Sequence, residues 1–380
     1  MRVGIDYTSA ARQRAGIGRY TRELIRALLS LESGHEYTVF AAAGGLKGDD
    51  WKPGVGQEGV RVRSLPLSDD WLARLWHRLR LPIPIEVVTG PLDIFYSPDF
   101  TLPPTMGATR RVLTVHDLSF VHHPDAFVPS LRRYLERVVP RSIQQADRVL
   151  ADSAHTRADL ITLFDVSPEQ VTIIYPGVDP RFRPNPEPGE RERVRERYGI
   201  GDEPYVLSVG TLQPRKNYVR LMEGFVRLRE AADTRAQLVI AGGRGWLYDE
   251  IVAEASRHDS VRLLGFVEDE DLPALYRGAS VFAFPSLYEG FGLPVLEAMA
   301  CGTPVMCSNA SSLPEVAGES ALLVDPLNAD ALTGALARVL ADRGLRERMV
   351  DRGLAQAAEF TWERSAGQLL DVIDSFREAS

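Results

Sequence analysis

Short apolar runs rich in β-branched and aromatic residues alternate with amphipathic stretches, and this alternation occurs twice along the chain. Strands are predicted at residues 3–7, 37–42, 60–65, 93–97, 112–116, 149–153 and 171–175, and again at 205–209, 237–241, 261–265, 281–285, 304–308 and 321–324. Helical patterns lie at residues 17–30, 71–80, 129–145, 154–164, 218–230, 249–257, 271–277, 293–300 and 329–340. Strands that are apolar on both faces belong to parallel sheets covered by helices on both sides. The predicted fold class is therefore α/β, with two doubly wound parallel sheets.

At 380 residues the chain is too long for one ordinary core. A domain boundary is predicted at residues 181–192, which are rich in Pro, Glu and Arg and lack apolar periodicity. We therefore expect two Rossmann-like domains, at residues 1–180 and 181–360, with the helix predicted within 361–380 packing back on the first. Because open α/β sheets bind ligands beyond the carboxyl ends of their strands, we expect the two domains to face each other across a cleft that holds the site.

Charge and composition exclude several classes of protein. The net charge is −8, and the whole acidic excess lies in residues 181–380, which argues against a general nucleic-acid binder. The only two cysteines, Cys301 and Cys307, form neither a disulfide framework nor a metal site, and we expect them to be buried as small apolar residues. The first residues lack a signal-peptide pattern, and no apolar run approaches the ~18 residues of a membrane span. The expectation is a cytoplasmic protein that touches a membrane, if at all, peripherally at its inner face.

One motif follows the strand predicted at residues 281–285. Glu289 lies in the turn after that strand, at residues 288–292, Pro294 suits the first turn of the next helix, and Glu297 lies about one turn into that helix. Between the two carboxylates, the N–H groups at the helix start favour a phosphate or sugar hydroxyls. Carboxylates also accept hydrogen bonds from the vicinal hydroxyls of sugars and riboses. From this spacing alone, a purely structural helix start remains an equal alternative.

A second motif follows the strand predicted at residues 205–209. Gly210 opens a turn in which Arg215 and Lys216 precede a helix. A guanidinium and an ammonium at this position form a cation pair suited to a diphosphate. A solvated basic turn is the structural alternative.

Together the two motifs resemble the retaining glycosyltransferases of the GT-B fold, specifically glycosyltransferase family 4. The family's Glu-x7-Glu pattern is met by Glu289 and Glu297, and its cation pair by Arg215-Lys216. The resemblance extends over the second domain, through the stretches at residues 175–179, 265–267, 297–305 and 313–315.

The resemblance implies roles for these residues. Glu289 would bind hydroxyls of the donor sugar and Glu297 the ribose, while Arg215 and Lys216 would neutralise the diphosphate as the leaving group gains negative charge. The remaining donor-binding residues implied in this domain are Gly210, Phe266, Val267, Phe291, Gly292 and Leu293, of which Phe266 and Val267 would border the base.

The first domain carries two further stretches of the family. Gly16 and Gly18 belong to Gly-Ile-Gly-Arg-Tyr, an incomplete dinucleotide fingerprint that matches the family's loop at the donor phosphate. His116 and Asp117 follow a predicted strand and resemble the family's active-site His-Asp pair. A strand-end histidine that caps a helix is the structural alternative for His116.

The resemblance also implies a reaction. A hexose would pass with retention from a nucleoside-diphosphate sugar to a hydroxyl of a glycan or lipid-linked acceptor, without a protein nucleophile, a metal or a cofactor. The segment beginning at His116 is most similar to mannosyltransferases and favours GDP-mannose, although UDP-glucose or UDP-GlcNAc fits the same motifs. A sugar-nucleotide epimerase and a non-catalytic sugar-binding protein remain alternatives. The acidic run at residues 268–271 is interpreted as helix N-terminal charge, not as a metal motif.

Residues 71–80 place Trp and Leu on one helical face and Arg on the other. This pattern fits a helix at a membrane surface that serves a lipid-linked acceptor. It also fits a helix that packs on the core and exposes a solvated basic face.

Overall fold

The computed structural model describes residues 1–13, 16–48, 51–53, 57–232 and 234–378. The chain divides into two compact units. Unit 1 comprises Met1–Leu118, Arg133–Gly177 and Thr361–Ser380, and unit 2 comprises Ser119–Arg132 and Val178–Phe360.

Unit 1 is built on a seven-stranded sheet in which all neighbouring strands are parallel. Its strands are β1 (Arg2–Asp6), β2 (Glu36–Ala42), β3 (Val60–Leu65), β4 (Ile94–Ser97), β5 (Arg110–Val115), β6 (Arg148–Ala151) and β7 (Val171–Ile173), in the order β3-β2-β1-β4-β5-β6-β7. Its helices are α1 (Thr8–Arg12), α2 (Gly16–Ser30), α3 (Asp69–Ala73), α4 (Glu86–Thr89), most of α6 (Pro129–Gln145), α7 (Ala154–Phe164) and α16 (Trp362–Glu378).

Unit 2 is built on a six-stranded parallel sheet. Its strands are β8 (Tyr205–Val209), β9 (Gln237–Ala241), β10 (Val261–Gly265), β11 (Val281–Phe284), β12 (Val305–Ser308) and β13 (Ala321–Val324), in the order β10-β9-β8-β11-β12-β13. Its helices are α5 (Ser119–His122), α8 (Glu190–Tyr198), α9 (Tyr218–Ala232), α10 (Asp249–Ala255), α11 (Leu272–Gly278), α12 (Leu293–Ala300), α13 (Leu313–Ala317), α14 (Ala329–Ala341) and α15 (Arg343–Ala358).

The two parallel sheets predicted from the sequence are confirmed, and every predicted strand is present within two residues of its expected ends. The central strands are apolar on both faces because helices cover both: β4 and β11 are buried along their whole length. In unit 2 these side chains form a core with α9, α10 and α14, in which Phe225, Leu238 and Leu332 are buried. Cys301 and Cys307 are buried in unit 2 as expected, and burial raises the pKa of each thiol to about 12.

Each sheet has a topological switch point at its first strand. In unit 1 the strand order reverses between β1 and β4, and in unit 2 between β8 and β11. Open α/β sheets bind ligands at the carboxyl ends of the strands that flank such a point. We therefore expect ligand-binding residues in the loops after β1, β4, β8 and β11.

Three local predictions differ from the structure. Residues 71–80 are not one helix: α3 ends at Ala73 and a π-helical turn, Arg74–Arg78, follows it. The stretch at residues 181–192, which lacks apolar periodicity, already contains the start of α8, where Glu190 forms an ion pair with Arg277. No helix was predicted between β1 and α2, where the structure contains the short helix α1.

Within the described part of the chain, no helix is both long and apolar enough to cross a membrane.

Candidate active site

Arg215, Lys216 and Glu289 meet at the switch point of unit 2. A Glu289 carboxylate oxygen lies 2.9 Å from Arg215 Nη1, and the other lies 2.6 Å from Lys216 Nζ. All three side chains are buried. Burial alone would raise the pKa of Glu289, but the charges of Arg215 and Lys216 and the hydrogen bond from Lys216 outweigh it and lower the pKa to about 2. The cluster is therefore fully ionised at neutral pH and carries a net charge of +1.

The loop after β8 fixes the two cations. Residues Pro214–Lys216 form a short 3₁₀ turn, which Asn217 ends in a left-handed conformation with φ 60°. The Asn217 amide donates to the carbonyl oxygens of Pro285 (3.0 Å) and Pro326 (2.7 Å), which joins this turn to the ends of β11 and β13. Lys216 Nζ also lies 4.7 Å from the centre of the Phe284 ring. The cations thus belong to a rigid turn and not to a solvated one.

Two serines of the loop after β12 hold the turn that carries Glu289. Ser312 Oγ lies 2.9 Å from the Glu289 carbonyl oxygen and 2.7 Å from that of Phe291 and shares its one proton between them, and Ser311 Oγ accepts from the Glu289 N–H at 2.8 Å. Arg215 Nη1 donates to the Tyr288 carbonyl of the same turn. Each end of the turn is therefore hydrogen-bonded to a neighbouring loop.

Gly292 ends this turn and caps α12. Its φ is 118°, and a Cβ there would lie 2.6 Å from Leu313 Cδ2, so only glycine fits without strain. Pro294 lies in the first turn of α12 as expected. Pro294 has no N–H and the Val295 N–H donates to the Gly292 carbonyl at 2.9 Å, while an α-helix provides no intrahelical acceptor for the first N–H, that of Leu293. Leu293 begins the helix, and the Phe291 side chain is buried against Phe360, with ring centroids 5.6 Å apart.

Glu297 lies one turn into α12 and is buried. The Tyr276 hydroxyl of α11 donates to its Oε2 at 2.9 Å. Tyr276 is itself buried between the rings of Phe182 and Phe282. The second carboxylate of the motif is thus oriented by a tyrosine that carries no sequence signature.

The remaining donor-site candidates lie at the carboxyl edge of the same sheet. Gly210 packs against Gly242 of the neighbouring loop, where a Cβ would lie 1.9 Å from the Gly210 carbonyl oxygen. Tyr218 Oη donates to that oxygen at 2.9 Å. After β10, Phe266 is 47% exposed whereas Val267 is buried. Phe266 is therefore the more accessible of the two side chains proposed to border a base.

Residues 119–132, although they follow the first five strands in the chain, belong to unit 2. The His122 ring stacks on Tyr288 with centroids 4.9 Å apart and planes at 21°. Trp246 Nε1 donates to the Ala126 carbonyl at 2.6 Å, and the Trp246 ring lies beside Phe127. This segment therefore packs directly on the turn that carries Glu289.

His116 lies at the carboxyl end of β5 in unit 1. Its Nδ1 is 2.7 Å from Asp152 Oδ2 and its Nε2 is 2.8 Å from the Pro98 carbonyl oxygen. Burial would lower the pKa of His116, but the Asp152 and Asp99 charges and both hydrogen bonds raise it to about 9. Because both partners are acceptors, each ring nitrogen donates a proton, and His116 is an imidazolium. Neither ring nitrogen is then able to accept from a helix N–H, so the helix-capping alternative does not apply.

Aromatic rings surround this imidazolium. The Tyr20 ring meets His116 edge-on at 4.8 Å, and Phe100 does so at 5.4 Å. Tyr20 belongs to α2, which begins at Gly16, and Gly18 lets this helix approach so closely that a Cβ there would lie 2.0 Å from the Gln13 carbonyl oxygen. The Gly-Ile-Gly-Arg-Tyr stretch and the histidine, far apart in sequence, are thus adjacent in unit 1.

Two further carboxyls lie near His116. Asp117 is half-buried directly after it. Burial, together with the negative charges of Asp6 and Asp69, raises the pKa of Asp99 to about 6, against the opposing effect of His116. Asp99 precedes Phe100, whose φ of 37° is uncommon for a side chain of this size. The carboxyl edge of this sheet is therefore acidic, in contrast to the cation pair of unit 2.

The acidic run at residues 268–271 is anchored by ion pairs. Asp271 precedes α11 without capping it, and its carboxylate contacts Arg193 (2.5 Å), Arg197 (2.8 Å) and the Tyr198 hydroxyl (2.8 Å) of α8. Asp271 thus attaches α8 to the start of α11, in addition to the helix N-terminal charge expected from the sequence. In the described ranges no group of three or more His, Cys, Asp or Glu side chains could bind a metal ion.

A cavity of about 600 Å³ lies at the opposite edge of the unit 2 sheet. Pro204, Ser280 and Pro304, which line it, directly precede β8, β11 and β12. It therefore lies at the amino ends of these strands, away from the ionised cluster. The carboxyl edge, where Arg215, Lys216 and Glu289 meet, is the candidate active site of unit 2.

Family models match both halves of the chain. The model described as "Glycosyltransferase Family 4" matches residues 14–182, and that described as "Glycosyl transferases group 1" matches residues 190–356. The chain is 34% identical over 368 residues to the O-antigen chain mannosyltransferase B of Escherichia coli, with 94% of this chain and 95% of the relative covered. The chain belongs to glycosyltransferase family 4.

Two further likenesses agree with this assignment. This glycosyltransferase is 31% identical to the MMP alpha-(1->4)-mannosyltransferase of Mycolicibacterium hassiacum, with 98% of each chain covered. Its fold matches that of Anabaena HepE, solved in complex with UDP and glucose, with a TM-score of 0.72 at 17% identity over 99% of this chain and 100% of the other. The predicted GT-B fold and hexosyltransferase class are confirmed.

Proposed function

We propose that the enzyme transfers a hexose, with mannose favoured, from a nucleoside-diphosphate sugar to a hydroxyl of a glycan or lipid-linked acceptor, with retention of anomeric configuration. The observation that carries this proposal is the buried Arg215–Lys216–Glu289 cluster at the switch point of unit 2. It combines cations for a diphosphate with a carboxylate for sugar hydroxyls.

The cation pair accounts for leaving-group stabilisation. As the bond between the anomeric carbon and the diphosphate oxygen breaks, negative charge grows on that oxygen. Arg215 and Lys216 are buried and already ordered, so their attraction for this charge requires little reorganisation and is weakly screened. Their contribution is greater in the transition state than in the ground state, which is the condition for acceleration. The proposed reaction needs neither a metal ion nor a cofactor, because these cations supply the neutralising charge.

The proposed donor contacts follow the carboxyl edge of unit 2. Glu289 accepts hydrogen bonds from hydroxyls of the sugar, and Glu297, oriented by Tyr276, accepts from the ribose. The exposed ring of Phe266 and the neighbouring Val267 border the base. The remaining donor contacts are proposed at the backbone of Gly210, Phe291, Gly292 and Leu293.

In unit 1, His116 and Asp117 are proposed to act at the acceptor and the sugar, and Gly16 and Gly18 near the donor phosphate. An imidazolium cannot be a general base, because it has no free lone pair. As the resemblance to the family implies, we propose that the acceptor oxygen attacks the anomeric carbon on the face that the diphosphate leaves, and that its proton passes to a phosphate oxygen. One carbon–oxygen bond breaks, one forms, and no protein nucleophile is used.

Relatives supply the choice of sugar. Two proteins at least 31% identical over nearly their whole length are named mannosyltransferases, which favours mannose. A fold neighbour was solved with UDP and glucose, so both guanine and uracil nucleotides need to be tested.

A thermal-shift screen against GDP, UDP, ADP and dTDP tests the donor. At a 100-fold excess over Kd, a specific nucleotide adds about 2.7 kcal/mol to stability, enough to rank the four. Arg215→Ala and Lys216→Ala should abolish this shift, whereas Arg235→Ala, at an exposed arginine of unit 2, should keep it. A shift that survives both site variants would refute the diphosphate site.

The product formed from the selected nucleotide sugar tests the reaction. Proton NMR should show a new glycoside with the same anomeric configuration as the donor. An epimerised donor without transfer, or an inverted product, would contradict the proposed reaction.

A further inference from the structure

Two neighbouring histidines of unit 2 contact the turn that carries Glu289. The His122 ring stacks on the Tyr288 ring, and the His123 ring meets the same tyrosine with centroids 6.1 Å apart and planes at 61°. Tyr288 directly precedes Glu289, and its carbonyl accepts from Arg215 Nη1. A single residue, Tyr288, thus links both imidazoles to the ionised cluster.

The backbone around His123 is ordered, so the ring has a defined place. The His123 N–H donates to the Ser119 carbonyl at 2.8 Å, and the His123 carbonyl accepts from the Ala126 N–H at 3.0 Å. The Ala126 carbonyl in turn accepts from Trp246 Nε1, which anchors this segment on unit 2. His122 is exposed and His123 is partly buried, so solvent can supply a proton to the pair.

The charges that act most on His123 are positive. Partial burial and the charges of His122 and Arg215 lower the pKa of His123 below its usual value, against a smaller opposing effect of the Leu287 carbonyl. Among the residues that the structure describes, none supplies His123 with a carboxylate partner. At neutral pH the His123 ring is therefore uncharged.

A bound diphosphate reverses this balance. Under the proposed function, its oxygens contact Arg215 and Lys216 and bring negative charge to a cluster that is otherwise positive. Nearby negative charge favours the protonated form of an imidazole, so attraction from the phosphates replaces repulsion from Arg215. Linkage is reciprocal: if binding of the diphosphate favours protonation of His123, protonation of His123 strengthens binding of the diphosphate by the same factor.

We propose that His123, beside His122, is a protonatable part of the diphosphate site, and that it takes up a proton from solvent when the diphosphate of the donor binds to Arg215 and Lys216. This coupling rests on the proposed function, because it needs a diphosphate at these two cations. His123 gains its positive charge only when the phosphates are present, so the free site avoids a third cation close to Arg215 and Lys216. The donor consequently binds more tightly as the pH falls.

Isothermal titration calorimetry of the full chain with GDP-mannose and with UDP-glucose tests the proposal. Both phosphates of a nucleotide sugar are diesters, so the ligand does not titrate near neutral pH. Heats measured in buffers of different ionisation enthalpy should show uptake of about half a proton per ligand near pH 6. The affinity should rise about tenfold from pH 8 to pH 5.5, since a pKa shift of about one unit corresponds to a factor of about ten.

His123→Gln keeps a polar side chain of similar size that cannot be protonated. Relative to its own affinity at pH 8, this variant should show no gain at pH 5.5 and no proton uptake. A role in packing alone would change its affinity by the same factor at every pH and would leave the proton uptake in place. His258→Gln, at a histidine of unit 2 that pairs with Glu254, is the matched control and should keep the wild-type uptake.

The outcomes separate this coupling from the donor site itself. Binding of a nucleotide sugar without proton uptake, or with an uptake that persists in His123→Gln, would overturn the proposal for His123 and leave the diphosphate site intact. If neither nucleotide sugar binds at any pH, the proposed diphosphate site is refuted and the role of His123 with it.

Discussion

Replacement of Glu289 by Gln removes the carboxylate that lies between Arg215 and Lys216. The ion pairs lower the pKa of Glu289 from 4.5 to about 2, which corresponds to roughly 3 kcal/mol of stability at neutral pH. Mutational cost for a broken buried ion pair is of the same order, about 3–5 kcal/mol. For a unit of this size, the melting temperature should fall by about 6–12 °C.

The pH dependence separates this mechanism from a loss of packing. The folded-state pKa of Glu289 is depressed, so its contribution is complete above the unfolded pKa of about 4.5 and is lost as the pH falls toward 2. Calorimetric melting between pH 7 and pH 3 should show the wild type and Glu289→Gln converging at acid pH. Glu319→Gln, at a side chain 94% exposed, is the matched control and should melt as the wild type does. If the two melting temperatures are equal at pH 7, or if their difference does not change with pH, the ion-pair account is refuted.

Asn217→Ala should destabilise the enzyme by about 2–3 kcal/mol in urea titrations, because alanine loses both carbonyl bonds and strains the left-handed backbone; Asn217→Gly should recover the backbone part. Asp152→Asn should lower the pKa of His116 from about 9, which NMR titration of the imidazole can follow. In the wild type the raised pKa stabilises the folded state; this stabilisation is complete below about pH 6.5 and is lost as the pH rises through 9. Gly292→Ala should cost about 1–3 kcal/mol and weaken nucleotide binding, since its Cβ meets Leu313; an unchanged melting curve would contradict the strain inferred from its φ.

Periodicity predicted the strands because β4 and β11 are buried on both faces, which leaves an unbroken apolar run in the sequence. It also indicated that Arg215 and Glu289 follow strands, and hence that they lie at a carboxyl edge. It did not establish that β8 and β11 are neighbours in the sheet, which is what brings Lys216 and Glu289, 73 residues apart, to 2.6 Å.

Other partners had no local signal. Asp152 and Ser312 lie in polar loop segments and Tyr276 lies in a short helix, and any of them could have faced solvent. Each becomes a partner of a candidate residue only through tertiary packing: Asp152 with His116, Tyr276 with Glu297, and Ser312 with the Glu289 turn. The π-helical turn that ends α3 likewise depends on Trp76 reaching the Ile83 carbonyl, a contact between side chain and backbone that helical periodicity does not encode.

The ion pairs among Arg215, Lys216 and Glu289 link the donor contacts that are proposed for these residues. From sequence, Glu289 was assigned to sugar hydroxyls and Arg215 with Lys216 to the diphosphate, as separate contacts. In the structure one carboxylate already pairs with both cations, and without it two buried positive charges would lie side by side, at a cost of several kcal/mol. A diphosphate that binds the two cations therefore competes with Glu289 for them. When the diphosphate replaces Glu289 as their partner, the carboxylate oxygens become able to accept hydrogen bonds from sugar hydroxyls. Under the proposed function, the sugar and diphosphate contacts are thus coupled. Glu289→Gln should bind a nucleoside diphosphate more tightly than the wild type and transfer the sugar more slowly. Weaker binding of the diphosphate by this variant would show that Glu289 does not compete for the cations.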